Sequence, residues 1–434
     1  MSKSLWMVSA ELPHFKSLED NIKTDVLIIG GGMCGLLCAH FLQKAGMDYI
    51  LVEADRIASG VTGNTTAKIT SQHGLMYDKL IKSYGIEKAQ MYLESNQKAL
   101  EEYKNICQMI DCDFEEKDAY TYSVRDRRAI EDEVRAVNAL GFGATFAEPK
   151  ELPFKTLGAV CFSGQAQFHP IKFVAELAKG LNIYEKTFVR EIAPHGVFAN
   201  GKKIQAKKVI VATHFPFINK HGSYFLKLYQ HRSYVSAFNK APILSGMYVD
   251  EDKKGLSFRS YGNLLLIGGG SHRTGKQGGT WREVNQRARE FYPDAVLQNE
   301  WAAQDCMSLD GIPYIGRYSK NTPDLYVATG FNKWGMTAAM TAAMILCDMV
   351  QDKQNEFAPV YSPDRSILKP QLFVNGFESA INLLTPTTRR CPHLGCALKW
   401  NKAEHSWDCP CHGSRFSEEG KLLDGPATGD LPKV

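Results

Sequence analysis

The hydrophobic pattern near the N-terminus predicts a strand, a helix and a second strand in close succession. Thr24 to Gly30 (TDVLIIG) is an apolar run of strand length, as expected for a strand buried on both faces of a parallel sheet. Glycines end this run, and apolar residues then recur at helical spacing from Gly35 to a C-capping Gly46. Asp48 to Glu53 (DYILVE) predicts the second buried strand. Together these segments predict a βαβ unit.

Later segments predict a return to this sheet and a second domain. Ile204 to Thr213 and Leu325 to Thr329 end in apolar runs that fit further strands of the first sheet, and a helix of small residues follows from Gly335 to Asp348. Two β-rich regions, around Ala119 to Gly164 and Phe225 to Gly270, lie between these strands in the chain. We expect them to form a second, discontinuous domain.

Composition and charge exclude several classes of protein. The 434 residues carry a formal net charge of +4, from 51 Lys and Arg against 47 Asp and Glu, which is far below the basic excess of a nucleic-acid-binding protein. The longest apolar stretch, Leu27 to Leu42, contains four glycines, and the mean hydropathy is -0.26, so no membrane span is expected. The N-terminal segment is polar and acidic where a secretory signal needs an apolar core, so a cytoplasmic protein is expected.

The turn between the first strand and its helix has the spacing of a dinucleotide site. Gly30, Gly32 and Gly35 form a G-x-G-x-x-G pattern, and Glu53 closes the second strand 23 residues after Gly30. Such a site needs the first glycine for a tight turn, the second for close approach of a pyrophosphate, and the third for contact between helix and strand. The acidic side chain can accept hydrogen bonds from ribose hydroxyls. A glycine turn without a ligand is the alternative.

Three further segments carry a resemblance to a known family. Lys208 to Thr213, Ser308 to Pro313 (SLDGIP) and Ala328 to Thr337, taken with the glycine turn, resemble the D-amino-acid oxidase and glycine oxidase superfamily over most of residues 20 to 350. The resemblance implies FAD, with the helix that begins near Gly335 directing its positive end at the flavin pyrimidine. A packing helix that starts at a glycine is the alternative for that segment.

The resemblance extends to individual positions. It implies that Asn64 to Lys68 runs past the pyrophosphate and the ring, and that Lys333 and Trp334 lie close to the ring. A solvated turn is the alternative for the first segment, and Val189 is as readily a core residue as an adenine contact. The residues implied to bind FAD, besides the glycine turn and Glu53, are Thr65, Thr66, Val189, Gly330, Gly335, Met336 and Thr337.

The catalytic residues are not determined by this reasoning. In the family an arginine and a tyrosine commonly hold a substrate carboxylate by charge-assisted hydrogen bonds. For each candidate taken singly, a surface cation or a packed aromatic ring is the simpler explanation. Lys333 and Trp334 are candidates from their position, and the β-rich region adds Arg232, Tyr234, Arg259, Tyr261 and His272.

The C-terminal segment has cysteines and histidines at the spacing of a Rieske centre. Cys391 and His393 form C-x-H, and after fifteen residues Cys409 and His412 form C-x-x-H. A [2Fe-2S] cluster of this type needs two thiolates on one iron and two imidazoles on the other, which these four residues can supply. Zinc is the alternative, because two cysteines and two histidines can also form a tetrahedral site.

The same segment resembles Rieske domains in other features. The strings LGC and CPCHGS and the closing Gly425-Pro426-Ala427 are shared with them. The resemblance implies a disulfide between Cys396 and Cys411 and a hydrogen bond from Ser414 to a bridging sulfide, whereas Phe416 replaces the expected tyrosine. A helix is predicted over Pro370 to Thr387, where Rieske domains have strands, so the base of this domain looks shortened.

These features predict three domains: an α/β flavin-binding Rossmann-like domain, a β-rich substrate domain and a small all-β Rieske domain. The proposed boundaries are 20–110, 165–215 and 300–352 for the first, 111–164 and 216–299 for the second, 353–370 for a polar linker and 371–434 for the third.

The combination predicts an FAD-dependent oxidoreductase. We expect it to take hydride from a small organic substrate, an amine or amino acid, and to release electrons singly through the cluster to an external acceptor, which could be a redox protein. The reverse direction of electron flow stays open. An NAD(P)H-dependent reductase that feeds an oxygenase is one alternative, although Ile267 to Arg273 (IGGGSHR) is a poor second nucleotide turn. A non-catalytic redox sensor is the other.

Overall fold

A computed structural model describes residues 3–193, 195–252 and 254–432. Its helices are α1 (Leu5–Ser9), α2 (Met33–Lys44), α3 (Tyr77–Tyr84), α4 (Ile86–Cys107), α5 (Arg127–Ala139), α6 (Pro170–Leu177), α7 (Tyr224–Lys227), α8 (Thr280–Phe291), α9 (Gly335–Val350), α10 (Ala358–Tyr361) and α11 (Pro370–Leu384). Its strands are β1 (Ile22–Ile29), β2 (Tyr49–Val52), β3 (Lys68–Ile69), β4 (Glu115–Ser123), β5 (Thr145–Ala147), β6 (Gly158–Gln167), β7 (Ile183–Tyr184), β8 (Val189–Ala193), β9 (Gly196–Ala199), β10 (Lys202–Val211), β11 (Leu228–Asn239), β12 (Met247–Asp250), β13 (Ser257–Tyr261), β14 (Leu264–Arg273), β15 (Val296–Ser308), β16 (Tyr314–Arg317), β17 (Leu325–Thr329), β18 (Lys399–Asn401), β19 (Ser406–Asp408), β20 (Arg415–Ser417) and β21 (Leu422–Asp424).

The first sheet contains the predicted βαβ unit. Its strand order is β16-β17-β10-β1-β2-β7, and β1 pairs in parallel with both β2 and β10. The apolar residues of β1 enter cores on both faces of the sheet, with Val26 and Ile28 on the side of α2 and α9, and Leu27 and Ile29 on the other. This burial on both faces explains the continuous apolar run, and both strands predicted to return to the sheet are present.

The second sheet is the predicted β-rich region. Its order is β15-β11-β14-β13-β12-β4-β6-β3, with β5 paired to β6, and most of its pairs are antiparallel. Strand β15 pairs with β11 along most of its length and crosses the proposed boundary at residue 300. The division of the chain into domains stays a prediction.

The triple-glycine segment after Ile267 lies inside this sheet. Gly268 to Gly270 belong to β14, which pairs with β11 and β13, so this segment is a strand and not a strand-to-helix turn. A Cβ on Gly268 would lie 2.6 Å from the Ser257 hydroxyl, which gives the glycine a packing role. This placement weighs against a second nucleotide site here.

The C-terminal domain contains a small sheet and a helix. Strands β18 to β21 form a four-stranded antiparallel sheet, and α11 covers most of the segment where a helix was predicted. Cys391, Cys409, Phe416 and Ala427 contribute to its core. Among the residues that the structure describes, no helix combines the length and apolar character needed to cross a bilayer.

The segment predicted to be a polar linker is packed against the first domain. Val360 and Tyr361 are buried, and the Tyr361 hydroxyl lies 2.6 Å from that of Ser95. Arg365 forms a bidentate ion pair with Asp310, at 2.8 and 2.9 Å. A few apolar and charged side chains therefore anchor this mainly polar segment, and its overall composition does not indicate these contacts.

Candidate functional site

The glycine turn forms a tight cradle at the start of α2. Gly30 has a φ of +111°, and a Cβ there would lie 2.5 Å from the Ala212 carbonyl oxygen at the end of β10. A Cβ on Gly35 would lie 1.9 Å from the Gly30 carbonyl oxygen. Gly32 caps α2, the Met33 amide donates to the Thr62 hydroxyl at 2.9 Å, and this first turn of the helix lines the cavity described below. A side chain at Gly30 or Gly35 would close this cradle.

Glu53 lies beside the turn as the sequence predicts. Its carboxylate accepts hydrogen bonds from the Gly31 amide at 2.6 Å and the Asp55 amide at 2.9 Å. Burial raises the pKa of this carboxyl against the opposing effect of the two amides. The side chain is thus held at the edge of the cradle where a ribose would lie.

A second helix directs its N-terminus into the same space. Trp334 caps α9 without a side-chain hydrogen bond, and Asn332 and Lys333 adopt left-handed conformations, with φ of 52° and 71°. The Trp334 ring stacks on His73 at a centroid distance of 5.1 Å. Burial lowers the pKa of His73 to about 3, so its imidazole is neutral near pH 7. This end of α9 can stabilise negative charge on a bound group.

One cavity of about 1760 Å³ connects the two helix ends. It exceeds the roughly 300–1,000 Å³ typical of small-ligand pockets, so it has room for a dinucleotide and a substrate. Of the predicted positions, the residues that line it are Gly30, Gly32, Glu53, Thr65, Thr66, Val189, Arg232, Tyr234, Gly330, Lys333, Trp334, Gly335 and Met336.

Other predicted positions lie outside this lining. Gly35 packs against Gly30, and the Thr337 hydroxyl lies 3.0 Å from His73 Nε2 beneath the helix end. His272 lies 3.0 Å from the Tyr234 hydroxyl. Tyr261 donates to Asp113. These contacts give all four residues packing or positioning roles.

Arg259 lies beneath the loop that passes the cavity. Its Nη1 donates to the carbonyl oxygens of Thr66 and Ala67, while its Nε and Nη2 are buried without a hydrogen-bond partner. Burial lowers its pKa to about 9. We assign it the positioning of this loop.

The resemblance placed Lys68 in the segment that runs past the ring but gave it no role of its own, and the structure shows it lining the cavity. Its Nζ donates to the Thr66 hydroxyl at 3.3 Å. Burial, and secondarily the charge of Arg259, lower its pKa to about 7. The only signal in the sequence was its place at the end of the loop; its half-buried position near Arg259 comes from the fold of the second sheet.

The predicted cluster ligands converge in the C-terminal domain. The rings of His393 and His412 lie 4.9 Å apart, and Nδ1 of each is buried without a hydrogen-bond partner. His393 Nε2 lies 2.9 Å from Asn219 Oδ1, and His412 is hydrogen bonded to the backbone of Phe225. With Nε2–H donating, Nδ1 keeps its lone pair for a metal.

The thiols and the disulfide complete this arrangement. Burial lowers the pKa of His393 to about 4. Burial and the charge of His393 lower the pKa of His412 to about 3, so both imidazoles are neutral near pH 7. Cys391 and Cys409 are buried beside them. Cys396 and Cys411 form the predicted disulfide between the two loops. Ser414 accepts a hydrogen bond from the Ala427 amide and is buried next to the thiols.

Arg232 and Tyr234 bind the C-terminal domain. Arg232 forms a bidentate ion pair with Glu404, and the Tyr234 hydroxyl donates to the same carboxylate at 2.9 Å. Arg415 also contacts Glu404, at 2.8 Å. All three charged side chains are buried, so they act as one network. This engagement favours a docking role for Arg232 and Tyr234 over the binding of a substrate carboxylate.

Glutamine in place of Glu404 should destabilise the protein by about 3–5 kcal/mol, because it leaves the buried Arg232 without a counter-charge and Arg415 with Asp408 alone. Burial raises the pKa of Glu404, but Arg232 and Arg415 outweigh it and hold this pKa below its ordinary value. Its stabilising effect is therefore present above the ordinary carboxyl pKa of about 4.3 and is lost as the pH falls. Urea unfolding from neutral to acidic pH should show a flatter acid limb in the variant.

Glu418→Gln is the matched control, since Glu418 is exposed on the same domain. Equal urea midpoints for the Glu404 variant and the native protein would contradict this account.

Strands β11 and β15 of the second sheet contact the second cluster loop. Gln230 Nε2 donates to the carbonyl oxygens of His412 and Gly425, both at 3.1 Å. Gln304 Nε2 donates to the Gly413 carbonyl at 2.9 Å. Gln230 on β11 and Gln304 on β15 thereby support the second cluster loop.

A short segment joins the glycine cradle to the cluster ligands. The Ala212 amide donates to the Ile29 carbonyl at 2.8 Å, next to Gly30. Three residues later, the Phe215 ring contacts the rings of His393 and His412 at centroid distances of 6.4 and 6.1 Å. The loop after β10 therefore contacts both sites.

Comparisons with known proteins match two parts of the chain to two different family models. Residues 25–349 match the family model described as FAD dependent oxidoreductase, and residues 381–434 match the Rieske [2Fe-2S] domain model. A Rieske 2Fe-2S iron-sulfur protein of Bacillus subtilis, YhfW, is 33% identical over 496 aligned positions, which cover 100% of this chain and 97% of that protein.

Two further relatives match the first part of the chain. Gamma-glutamylputrescine oxidoreductase of Escherichia coli is 23% identical over 79% of this chain and 87% of its own length. The crystal structure of glycine oxidase from Geobacillus kaustophilus superposes with a TM-score of 0.67 at 21% identity, covering 80% of this chain and 98% of the oxidase. The second comparison establishes a common fold.

Proposed function

The chain belongs to the FAD dependent oxidoreductase family and carries a C-terminal Rieske domain, and on this premise we propose that it oxidises a small amine or amino acid and passes the electrons singly to an external acceptor. The two family matches by themselves show an FAD-dependent oxidoreductase with an iron-sulfur domain.

The residues present fit both groups. The cradle at Gly30 and Gly35 has no room for a Cβ, and Gly32 and Trp334 leave two helix ends open on one cavity, as FAD requires. His393 and His412 each have a buried Nδ1 without a hydrogen-bond partner, and the thiols of Cys391 and Cys409 are hydrogen bonded to each other, so each loop offers one imidazole and one thiol as a Rieske cluster requires. When bound, FAD supplies two-electron hydride chemistry and the cluster one-electron transfer.

The contact of Phe215 with both cluster histidines carries the proposal. The segment that bears this ring also contacts Gly30 and lines the cavity through Ala212 and Thr213. Because electrons must pass between the two groups, a short covalent connection between their binding sites favours transfer within one chain. The buried network around Glu404 holds the two domains in this arrangement.

The substrate class is supported by the relatives and by Lys68. Gamma-glutamylputrescine oxidoreductase and glycine oxidase both act, by their names, on compounds with amino groups. An amine must lose a proton to give up hydride from the adjacent carbon. With a pKa of about 7, Lys68 Nζ is partly neutral near neutral pH and can accept that proton within the cavity.

Anaerobic mixing with a panel of amines and amino acids tests this function. We expect one member to bleach the flavin absorbance and then produce the EPR signal of a reduced Rieske cluster. Phe215→Leu should leave flavin bleaching unchanged and slow the appearance of the EPR signal several-fold, because it removes the ring that contacts both histidines. Phe217→Leu, on the same loop, is the matched control.

Three outcomes would contradict the proposal. Rapid bleaching of the flavin by NADH alone would favour the reductase. Bleaching by a substrate without any EPR signal from the cluster would show that electrons do not pass from the flavin to the cluster. Binding of a partner protein that depends on oxidation state, without turnover of any substrate, would favour the sensor.

A further inference from the structure

We propose that the exposed apolar face of α11 binds the surface of an anionic phospholipid bilayer. This face, hereafter the α11 face, consists of Phe373, Val374, Phe377, Ile381 and Leu384. The exposed fractions of Phe373, Phe377 and Leu384 are 70%, 66% and 82%. Phe373, Phe377, Ile381 and Leu384 follow one another at steps of four, four and three residues, which places these side chains on one side of the helix.

The orientation of α11 is the reverse of a normal surface helix. Asn375 and Asn382 are its buried residues, with exposed fractions of 3% and 2%. Asn375 Oδ1 accepts a hydrogen bond from Arg273 Nη1 at 2.9 Å, and the Ala397 amide donates to the Asn382 carbonyl at 2.9 Å. Because these polar contacts attach the helix to the protein, its large apolar side chains are left toward solvent. A contiguous patch of this kind marks an interaction surface.

The segment of the chain that contains α11 is basic. Residues 366–402 contain five Lys and Arg (Lys369, Arg389, Arg390, Lys399 and Lys402) and one acid, Glu378, a balance of 5 − 1 = +4. This equals the net charge of the whole chain, so the remaining residues balance at 46 basic against 46 acidic.

The cations stand at both ends of the helix. Lys369 precedes α11, and Arg390 donates to the carbonyl oxygens of Leu383 and Thr385 at its C-terminal end. Glu378 is turned away and paired with Lys276 at 2.7 Å. A helix with bulky apolar side chains on one face and cations at its margins suits the interface of an anionic bilayer, where it would lie in the plane of the surface.

Charge also distinguishes this occupant from a second copy of the chain. Two copies meeting through the α11 face would bring two surfaces of local charge +4 together, which is unfavourable. Phospholipid headgroups of negative charge would instead neutralise the same cations. Leu394, exposed on the first cluster loop, follows the helix closely, so a bound bilayer would lie near that loop.

Co-sedimentation of the full-length holoprotein with lipid vesicles tests the proposal. We expect binding to phosphatidylcholine vesicles that contain about a third phosphatidylglycerol, and weaker binding to phosphatidylcholine alone. Raising the ionic strength from about 0.1 M to about 1 M should weaken binding, because it screens the cations. The double variant Phe373→Gln and Phe377→Gln should reduce the partition coefficient by about tenfold or more.

The matched control is Met109→Gln with Ile243→Gln, which removes two exposed apolar residues from other segments. Both double variants should keep the native flavin and cluster spectra and the thermal midpoint, since neither alters a buried side chain. Absence of binding to anionic vesicles, or equal binding by the α11 variant, would overturn the proposal. So would a concentration-dependent dimer in lipid-free sedimentation that the α11 variant abolishes, because the face would then bind a second copy.

Discussion

The His412→Ala variant is expected to lose its iron-sulfur cluster and to keep its flavin. Removal of the imidazole takes one of the four ligands, and the neighbouring backbone cannot replace an Nδ1 donor that lies buried against Phe215 and Phe225. Bound iron, measured against protein, should fall to background, and the Rieske EPR signal should be absent. Substrate should still bleach the flavin, because Gly30, Gly35 and Glu53 are unaffected.

His405→Ala is the matched control for this variant. His405 is an exposed histidine of the same domain, in the turn between β18 and β19, and its removal should leave the iron content unchanged. Retention of a full complement of iron by the His412 variant would contradict the ligand assignment. Replacement of iron by zinc in the native protein would contradict the cluster itself.

The Gly35→Ala variant is expected to lose FAD. The added Cβ would lie 1.9 Å from the Gly30 carbonyl oxygen, so either the turn or the start of α2 must move. Overpacking of this kind costs about 1–3 kcal/mol, and here the displaced atoms are those that form the cradle. The purified variant should lack the flavin absorbance and show a lower thermal midpoint, while the cluster spectrum remains.

Gly143→Ala is the matched control, because a Cβ at Gly143 would meet open space. It should retain FAD and native stability. A Gly35 variant that binds stoichiometric flavin would show that the turn can relax, and the cradle would then lie elsewhere.

Some features were predictable because their physical basis is local. The glycine spacing, the apolar runs of β1 and β2 and the C-x-H and C-x-x-H pairs each lie within a few residues of one another. Local geometry determines what such groups can do, so the βαβ unit, the dinucleotide turn and the candidate cluster ligands followed from the spacing of residues, whereas FAD was implied by resemblance. The disulfide between Cys396 and Cys411 was implied by resemblance, and the structure contains it.

Other features depend on residues far apart in the chain. Arg232 and Glu404 are separated by 172 positions, and nothing near either residue in the sequence indicates that they pair. The same holds for Phe215 beside His393 and His412, and for Gln230 beneath the second cluster loop. In the sequence Lys68 resembles a surface lysine, and only the fold places it, half-buried, near Arg259.

By itself, the sequence determined a dinucleotide turn and two metal-ligand pairs, because both act through spacing along the chain, and the resemblance implied that the dinucleotide is FAD. Only the tertiary structure decided which arginine serves the domain interface, which ring connects the two sites and which side of α11 faces outward. Each of these outcomes depends on which side chains the fold brings together and which it buries. Burial is set by contacts across the whole molecule, and local spacing does not encode it.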